Sequence, residues 1–183
     1  MEERQKLYIL RWNPNKSSYK KEFHKDVVAH AKVYQFPKNF NWSIREWKKV
    51  APGDLFIMHQ VGTDNDGIVM IGKIKEKCYE EKSWRNDGSV IHYADLLLFD
   101  AFDADEKNVL PAEKYEKIFP EISWHHGHSG ELLEFNLANR LLSQINKDLM
   151  ECGLWDSGSF GDLVNPWWSA EDILRNKKEK HGF

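Results

Sequence analysis

Leu55-Phe56-Ile57-Met58-His59, then Gly62-Thr63-Asp64-Asn65-Asp66-Gly67, then Gly67-Ile68-Val69-Met70-Ile71-Gly72-Lys73-Ile74: this stretch decides the fold. Two short apolar runs flank a turn made of Gly, Asp and Asn, residues that tolerate left-handed backbone or bond it with their own side chains. Such runs, bounded by turn signals, read as an antiparallel hairpin. Upstream, Lys6-Leu7-Tyr8-Ile9-Leu10-Arg11-Trp12 reads as a short buried strand that stops at Asn13-Pro14. Downstream, Val90 to Phe99 reads as a long strand.

Helices are fewer. Ser17 or Ser18 caps a helix over about Tyr19 to Lys32, with Phe23, Val27, Val28 and Ala31 at helical spacing. Ser43, with Glu46 three residues on, has the form of a capping box and predicts a second short helix ending at Ala51-Pro52-Gly53-Asp54. Pro111 to Ile118 suggests a helical turn with Pro at its first position. Leu133, Leu137, Leu141, Ile145 and Leu149 recur every four residues and mark an amphipathic helix packed on the core. Ser169 and Asp172 would cap a last short helix. Strands outnumber long helices and do not alternate with them. The expected class is α+β, a mainly antiparallel sheet curled toward a barrel and flanked by helices.

At 183 residues the chain suits one domain with a self-sufficient core. Residues 1–150 are expected to form it, and residues 151–183, with Trp155, Trp167 and Trp168, a Trp-rich C-terminal extension that packs on the domain or on a partner. Lys and Arg number 26 against 29 Asp and Glu, a net charge of −3, which argues against a uniformly basic coat but leaves room for a local basic face. No apolar run of membrane-spanning length occurs, so no membrane partner is expected. Cys78 and Cys152 have no motif spacing, and a reducing cytoplasm is the expected location.

No phosphate-binding Gly loop and no nucleophile elbow is present. Trp124-His125-His126-Gly127-His128-Ser129-Gly130 offers three imidazoles, yet neighbouring His side chains in one loop rarely converge on an ion. Neither a metal nor a cofactor is expected. Asp64, Asp66, Asp103 and Asp105 read as turn formers. The 13% aromatic content is the chemical anomaly, because Trp serves cores, interfaces and planar ligands alike.

The strand ending in Trp12-Asn13-Pro14, then Trp42-Ser43, Pro52-Gly53-Asp54-Leu55-Phe56, Gly67-Ile68-Val69 with Gly72-Lys73-Ile74, Trp84, Tyr93 with Asp95, and Trp124 with Ser129-Gly130 form an ordered set. Over residues 6 to 133 this set resembles the EVE-like branch of the PUA-like superfamily, in particular the module preceding HNH nuclease domains in some modification-dependent restriction enzymes. The resemblance implies a PUA-like curled β-barrel with a pocket for a flipped-out nucleobase, often one bearing a methyl or hydroxymethyl group. It puts Trp12, Asn13, Trp42, Ser43, His59, Gln60, Trp124 and Ser129 at the nucleobase pocket. Arg45, Lys48, Lys49 and Lys73 become the candidates for phosphate contact. Stacking returns about 1–3 kcal/mol per base, so a base sandwiched between two aromatic rings offsets the few kcal/mol that flipping costs.

Trp12 serves a strand end or the pocket equally well, Trp47 suits a core position, and Trp84 suits a cover over the hairpin. Trp42, in a loop before the expected cap, is the ring hardest to explain by a core. Two departures, Ile44-Arg45-Glu46-Trp47 where the family often has Gly-Asn and His59-Gln60 where many have Arg-Gln, lie beside the expected pocket, so base identity is not carried over. The expected partner is DNA or RNA containing a modified base, with a separately encoded nuclease or other effector. The expected function is non-catalytic base recognition. Two other readings stay open: an ASCH-like hydrolase of modified nucleosides using Lys73, Thr63 and Glu76, and a protein-interaction scaffold.

Overall fold

The computed structural model describes residues 5–32 and 40–154. Among these residues seven strands and three helices follow in order: β1 Leu7–Trp12, α1 Lys21–Lys32, β2 Asn41–Ser43, a 3-10 turn Trp47–Lys49, β3 Leu55–Gln60, β4 Gly67–Ile74, β5 Tyr79–Lys82, β6 Val90–Ala101, α2 Ala112–Ile118, β7 Glu131–Leu132 and α3 Phe135–Glu151. The sheet runs β2-β6-β4-β3-β1-β7, with β5 also on β6. Only β1 and β3 pair in parallel, Ile9 opposite Ile57. The remaining strand pairs are antiparallel, including the β3–β4 hairpin. This is the α+β, curled half-barrel class the sequence implies.

All residues of β1 and β3 are buried. Both faces of these central strands are covered, so their apolar runs are continuous rather than alternating. Period-two geometry still sorts the side chains. Leu7, Ile9, Leu55 and Ile57 enter a core with Tyr115, Phe119 and Trp124 and with Leu141, Leu142 and Ile145 of α3. Tyr8, Leu10, Trp12, Phe56 and Met58 enter a second core with Val27, Val28 and Ala31 of α1.

The curl has a local cause. The β4–β6 register shifts between Ile71 and Gly72. A Cβ on Gly72 would sit 2.2 Å from the Leu97 carbonyl oxygen and 2.7 Å from the Phe56 ring, so only glycine allows this approach. A bulge beside a glycine bends the strand and increases its twist. β6 then uses its first half for β2 and β5 and its second half for β4.

The two ends of the sheet meet. Just after β2, the N–H groups of Arg45 and Glu46 donate to the carbonyls of Ser129 (3.0 Å) and Gly130 (3.2 Å), just before β7. Glu46 also accepts from the Leu132 N–H at 2.5 Å. Gly130 has φ +85°, and a Cβ there would lie 2.6 Å from the Ile44 Cα, so this seam requires glycine. These contacts correct two expectations. Ser43 does not open a helix but ends β2, paired with Tyr93, and Glu46 closes the seam instead of a capping box. Pairing with β6 offers hydrogen bonds at once, whereas a helix this short carries the full nucleation cost, and only one 3-10 turn survives.

Other differences are smaller. Phe23 is 59% exposed on α1 rather than part of the core stripe. Nothing in Tyr79-Glu80-Glu81-Lys82 signals a strand, yet it pairs with β6. Pro111 stands at the N-cap of α2, one place before the first helical position. α3 is capped by the Glu134 carboxylate, which accepts from Asn136 and Leu137 N–H groups at 3.0 Å each. Asp66 bonds the Gly62 and Thr63 N–H groups, and Asp103 that of Asp105, as turn formers do. Of the expected C-terminal extension, Glu151 completes α3 and Leu154 packs on the first core. Trp155, Trp167, Trp168 and the cap at Ser169 and Asp172 lie outside the described residues. Among the described residues no helix is long and apolar enough to cross a membrane.

Candidate functional site

A cleft of about 1160 Å³ opens along the seam. Its aromatic lining comes from Tyr19, Phe40, Trp42, Trp47, Trp84 and Tyr93, with exposed Phe23 and Val90 also on the wall. Large apolar surface left open in a concave site is the usual mark of a ligand pocket.

Trp42 is held rather than loose. Its indole N–H donates to the Ser129 hydroxyl at 2.8 Å. Tyr19 meets its ring edge-on at 5.6 Å, and Phe40 lies near-parallel at 6.5 Å. The Ser129 oxygen also accepts from the Arg11 N–H at 3.1 Å. A hydroxyl has two lone pairs and one proton, so both acceptor positions are filled and its O–H can donate to a ligand.

The loop bearing Ser129 is pinned from below. The buried Arg11 guanidinium donates to the carbonyls of His128 and Ser123, both at 2.7 Å, and pairs with the Glu131 carboxylate at 2.8 Å. Tyr19 has its phenol pushed up, first by burial and then by nearby Asp26, so it stays neutral. Trp84 is 40% exposed, with the Arg85 guanidinium 5.2 Å from its ring centre. Its backbone N–H donates to the Tyr93 hydroxyl at 3.2 Å.

Charge at the cleft is opposite to that of the chain. Lys16, Arg45, Lys82 and Arg85 line it, with Glu81 the one carboxylate among the described lining residues. A concave wall of one sign concentrates field and attracts anions.

Five of the residues expected from sequence meet here: Asn13, Trp42, Ser43, Ser129 and Arg45. The others do not line the cleft. Trp12 is fully buried among Tyr19 and His24, its indole N–H donating to the Tyr19 carbonyl at 2.7 Å. Trp124 is buried on the opposite core, its N–H donating to the Phe119 carbonyl at 3.0 Å. His59 shares the strand face of Ile57, so it points under Trp124, 5.1 Å between rings, and not toward Trp42. Its ring nitrogens have no hydrogen-bond partner among the described residues, and burial pushes its pKa down to about 3. Gln60 bonds the β3–β4 turn through Thr63 at 2.9 Å.

Lys48 sits over the Trp47 ring at 5.6 Å, Lys49 is exposed beside it, and the Lys73 stem lies against Gly53. Trp47, suited to a core by sequence, and Trp84, suited to a cover, both line the cleft. Trp84 stands in the polar loop Ser83-Trp84-Arg85-Asn86-Asp87-Gly88, so the rule that singles out Trp42 also finds it. The basic residues Lys16, Lys82 and Arg85 carried no sequence signal, because the long-range pairing of β5 and β6 brings two of them in.

The His-rich loop divides its side chains. His125 faces the carboxylates of Asp66 at 3.5 Å and Glu116 at 2.9 Å. His128 lines the cleft, and its Nε2 is buried without a partner among the described residues. Among those residues, no group of three His, Cys, Asp or Glu converges to hold a metal. Lys73, Thr63 and Glu76 are not brought together either. Lys73 is opposite Leu55 at the start of β3 and Thr63 lies beyond Gln60 at its end, about 17 Å of strand away.

No family model matches the sequence, and no curated protein matches it. Among solved structures the fold is similar to one described as the Mmi1 YTH domain in complex with RNA, at 16% identity and TM-score 0.50, covering 81% of this chain and 82% of that one. A second, described as YTH domain-containing protein mmi1 and RNA complex, has 13% identity and TM-score 0.49, with coverage of 81% and 86%. At these identities the likeness is one of fold. The family named in it is YTH rather than EVE-like.

Proposed function

We propose that the chain is a nucleic-acid-binding module whose seam cleft takes a single nucleobase, one carrying a modification, and stacks it on Trp42 with Trp84 as the facing wall. The observation that carries this is the ring of Trp42, anchored by Ser129 and Tyr19 yet open to a basic cleft in an acidic protein. Phosphates would meet Lys16, Arg45, Lys82 and Arg85, positioning the strand while the pocket chooses the base. The Ser129 O–H and the side chains of Asn13 and Ser43 supply the polar edge contacts. A methyl group would be sensed as a filled subpocket worth about 0.8 kcal/mol. The fold it shares with a YTH domain described in complex with RNA agrees with this reading, as does the EVE-like resemblance. We assign it no catalytic step, and we expect a separately encoded effector to act on what it binds.

The test is titration with oligonucleotides carrying cytosine, 5-methylcytosine, 5-hydroxymethylcytosine, adenine or N6-methyladenine, as DNA and RNA, single- and double-stranded. Tryptophan fluorescence reports binding. Tight binding to one modified species, lost in Trp42→Ala, is the expected result. Equal and weak binding to all of them, erased by moderate salt, would contradict the pocket.

A further inference from the structure

The cleft is larger than one base needs. Its 1160 Å³ exceeds the 300–1,000 Å³ range of sites that enclose a whole drug-sized ligand, and a mononucleotide is such a ligand. Its aromatic rings also fall into separate groups. Trp42 packs with Tyr19 and Phe40, while Trp47 stacks on His92 with ring centres 3.6 Å apart and planes within 5°. His92 is fixed in turn by the Glu80 carboxylate, 3.1 Å from its Nε2.

Register gives the spacing. Trp42 is opposite Ala94, and His92 is two residues from Ala94 on β6. Trp42 and His92 therefore leave the same side of the ladder as diagonal neighbours, about 7–8 Å apart at their backbones. The backbone positions behind the two ring groups are thus farther apart than the roughly 3.4 Å rise per stacked nucleotide. It suits neighbouring bases that have unstacked from each other and stacked on protein instead. Two cations stand at this second group: exposed Arg45 on the cleft wall and the Lys48 ammonium 5.6 Å from the Trp47 ring centre.

We infer that Trp47, backed by His92, is a second stacking platform, and that the ligand is a single-stranded segment of at least two nucleotides. One base occupies the Trp42 pocket, its neighbour lies on the face of Trp47 that His92 leaves open, and Arg45 and Lys48, the latter swung off that face, meet the phosphate between them. This inference rests on the reading of the cleft proposed above. A closed duplex keeps its neighbouring bases stacked on each other and offers no face to Trp47.

Mononucleotides of each base, methylated and unmethylated, and the matching dinucleotides and hexamers separate the two claims. They would be titrated by calorimetry into wild type, Trp42→Ala, Trp47→Ala and Trp47→Phe, with thermal unfolding run on each variant. The expected result is a gain of about 5- to 150-fold from mono- to dinucleotide in wild type. Trp47→Ala should abolish that gain and leave mononucleotide affinity unchanged, and Trp47→Phe should keep most of it. Trp42→Ala should weaken every ligand. Equal wild-type affinity for mono- and dinucleotide overturns the platform while leaving the base pocket standing. So does a Trp47→Ala loss that is the same for both. No binding of any nucleotide by folded wild type overturns the pocket and the platform together.

Discussion

Trp12 and Trp124 differ from Trp42 and Trp84 in what surrounds the same side chain. The first two are closed in on all sides, and each indole N–H donates to a main-chain carbonyl, of Tyr19 and of Phe119. Trp42 donates to a side-chain hydroxyl on a loop, and Trp84 stands 40% exposed over a polar turn. Position in the sheet makes the difference. Trp12 ends a central strand covered on both faces, and Trp124 lies beneath the end of another. Trp42 is on the three-residue edge strand where the curled sheet meets itself, and a seam cannot pack as a continuous core does. The buried pair holds the fold, and the open pair furnishes the cleft.

The largest effect that would sharpen this comparison is on stability. Trp12→Ala should cost about 3–5 kcal/mol in guanidinium unfolding, whereas Trp84→Ala should stay within about 0.5 kcal/mol. Equal losses would break the distinction. Next comes the seam itself. Gly130→Ala forces a side chain into left-handed backbone and against Ile44, and should cost about 1–3 kcal/mol by urea unfolding. An unchanged midpoint would mean that the two sheet ends are not held together there.

Third is acid sensitivity on the closed side. Burial disfavours the charged form of His59 and pushes its pKa from the ordinary histidine value of about 6.5 down to about 3. The unfolded chain therefore takes up the proton first. Stability should fall as pH drops below about 6.5 and continue to fall until about 3, by about 1 kcal/mol between pH 7 and 5.5. His59→Leu should flatten the part of that slope due to this residue. Buried His24, also shifted down, leaves a remainder. A slope identical in both proteins would place the titration elsewhere. The smallest effect belongs to the cleft rim: Arg85→Gln should lower the salt dependence of nucleic-acid binding by about one phosphate contact, a change of roughly 0.7–0.9 in the log–log slope. No change in slope would remove Arg85 from the phosphate path.

Local patterns carried much of the fold. The β3–β4 hairpin, β1, α3 and most of β6 are visible because their apolar periodicity and turn residues are local and unopposed. The segment Ser43 to Trp47 misleads for the opposite reason. Its capping-box residues satisfy a local rule, but strand pairing to Tyr93 and the bond from Leu132 to Glu46 are long-range contacts that no short window contains. Of the cleft's lining, Asn13, Trp42, Ser43 and Ser129 are legible through the motifs of the resemblance, and Arg45 through its place beside them in the chain. His59 was not, since strand parity relative to the two cores decides which way it points. Trp47 needed knowledge of which edge the barrel closes on, whereas Trp84 follows from its place in a polar loop.

Nuclear magnetic resonance of the indole N–H groups separates the open tryptophans from the buried ones, with the protein titrated by the modified-base oligonucleotide that binds best. The indole signals of Trp42, Trp47 and Trp84 should shift while those of Trp12 and Trp124 stay in place. Shifts confined to Trp12 and Trp124, or a bound complex in which the three cleft indoles do not move, would contradict it.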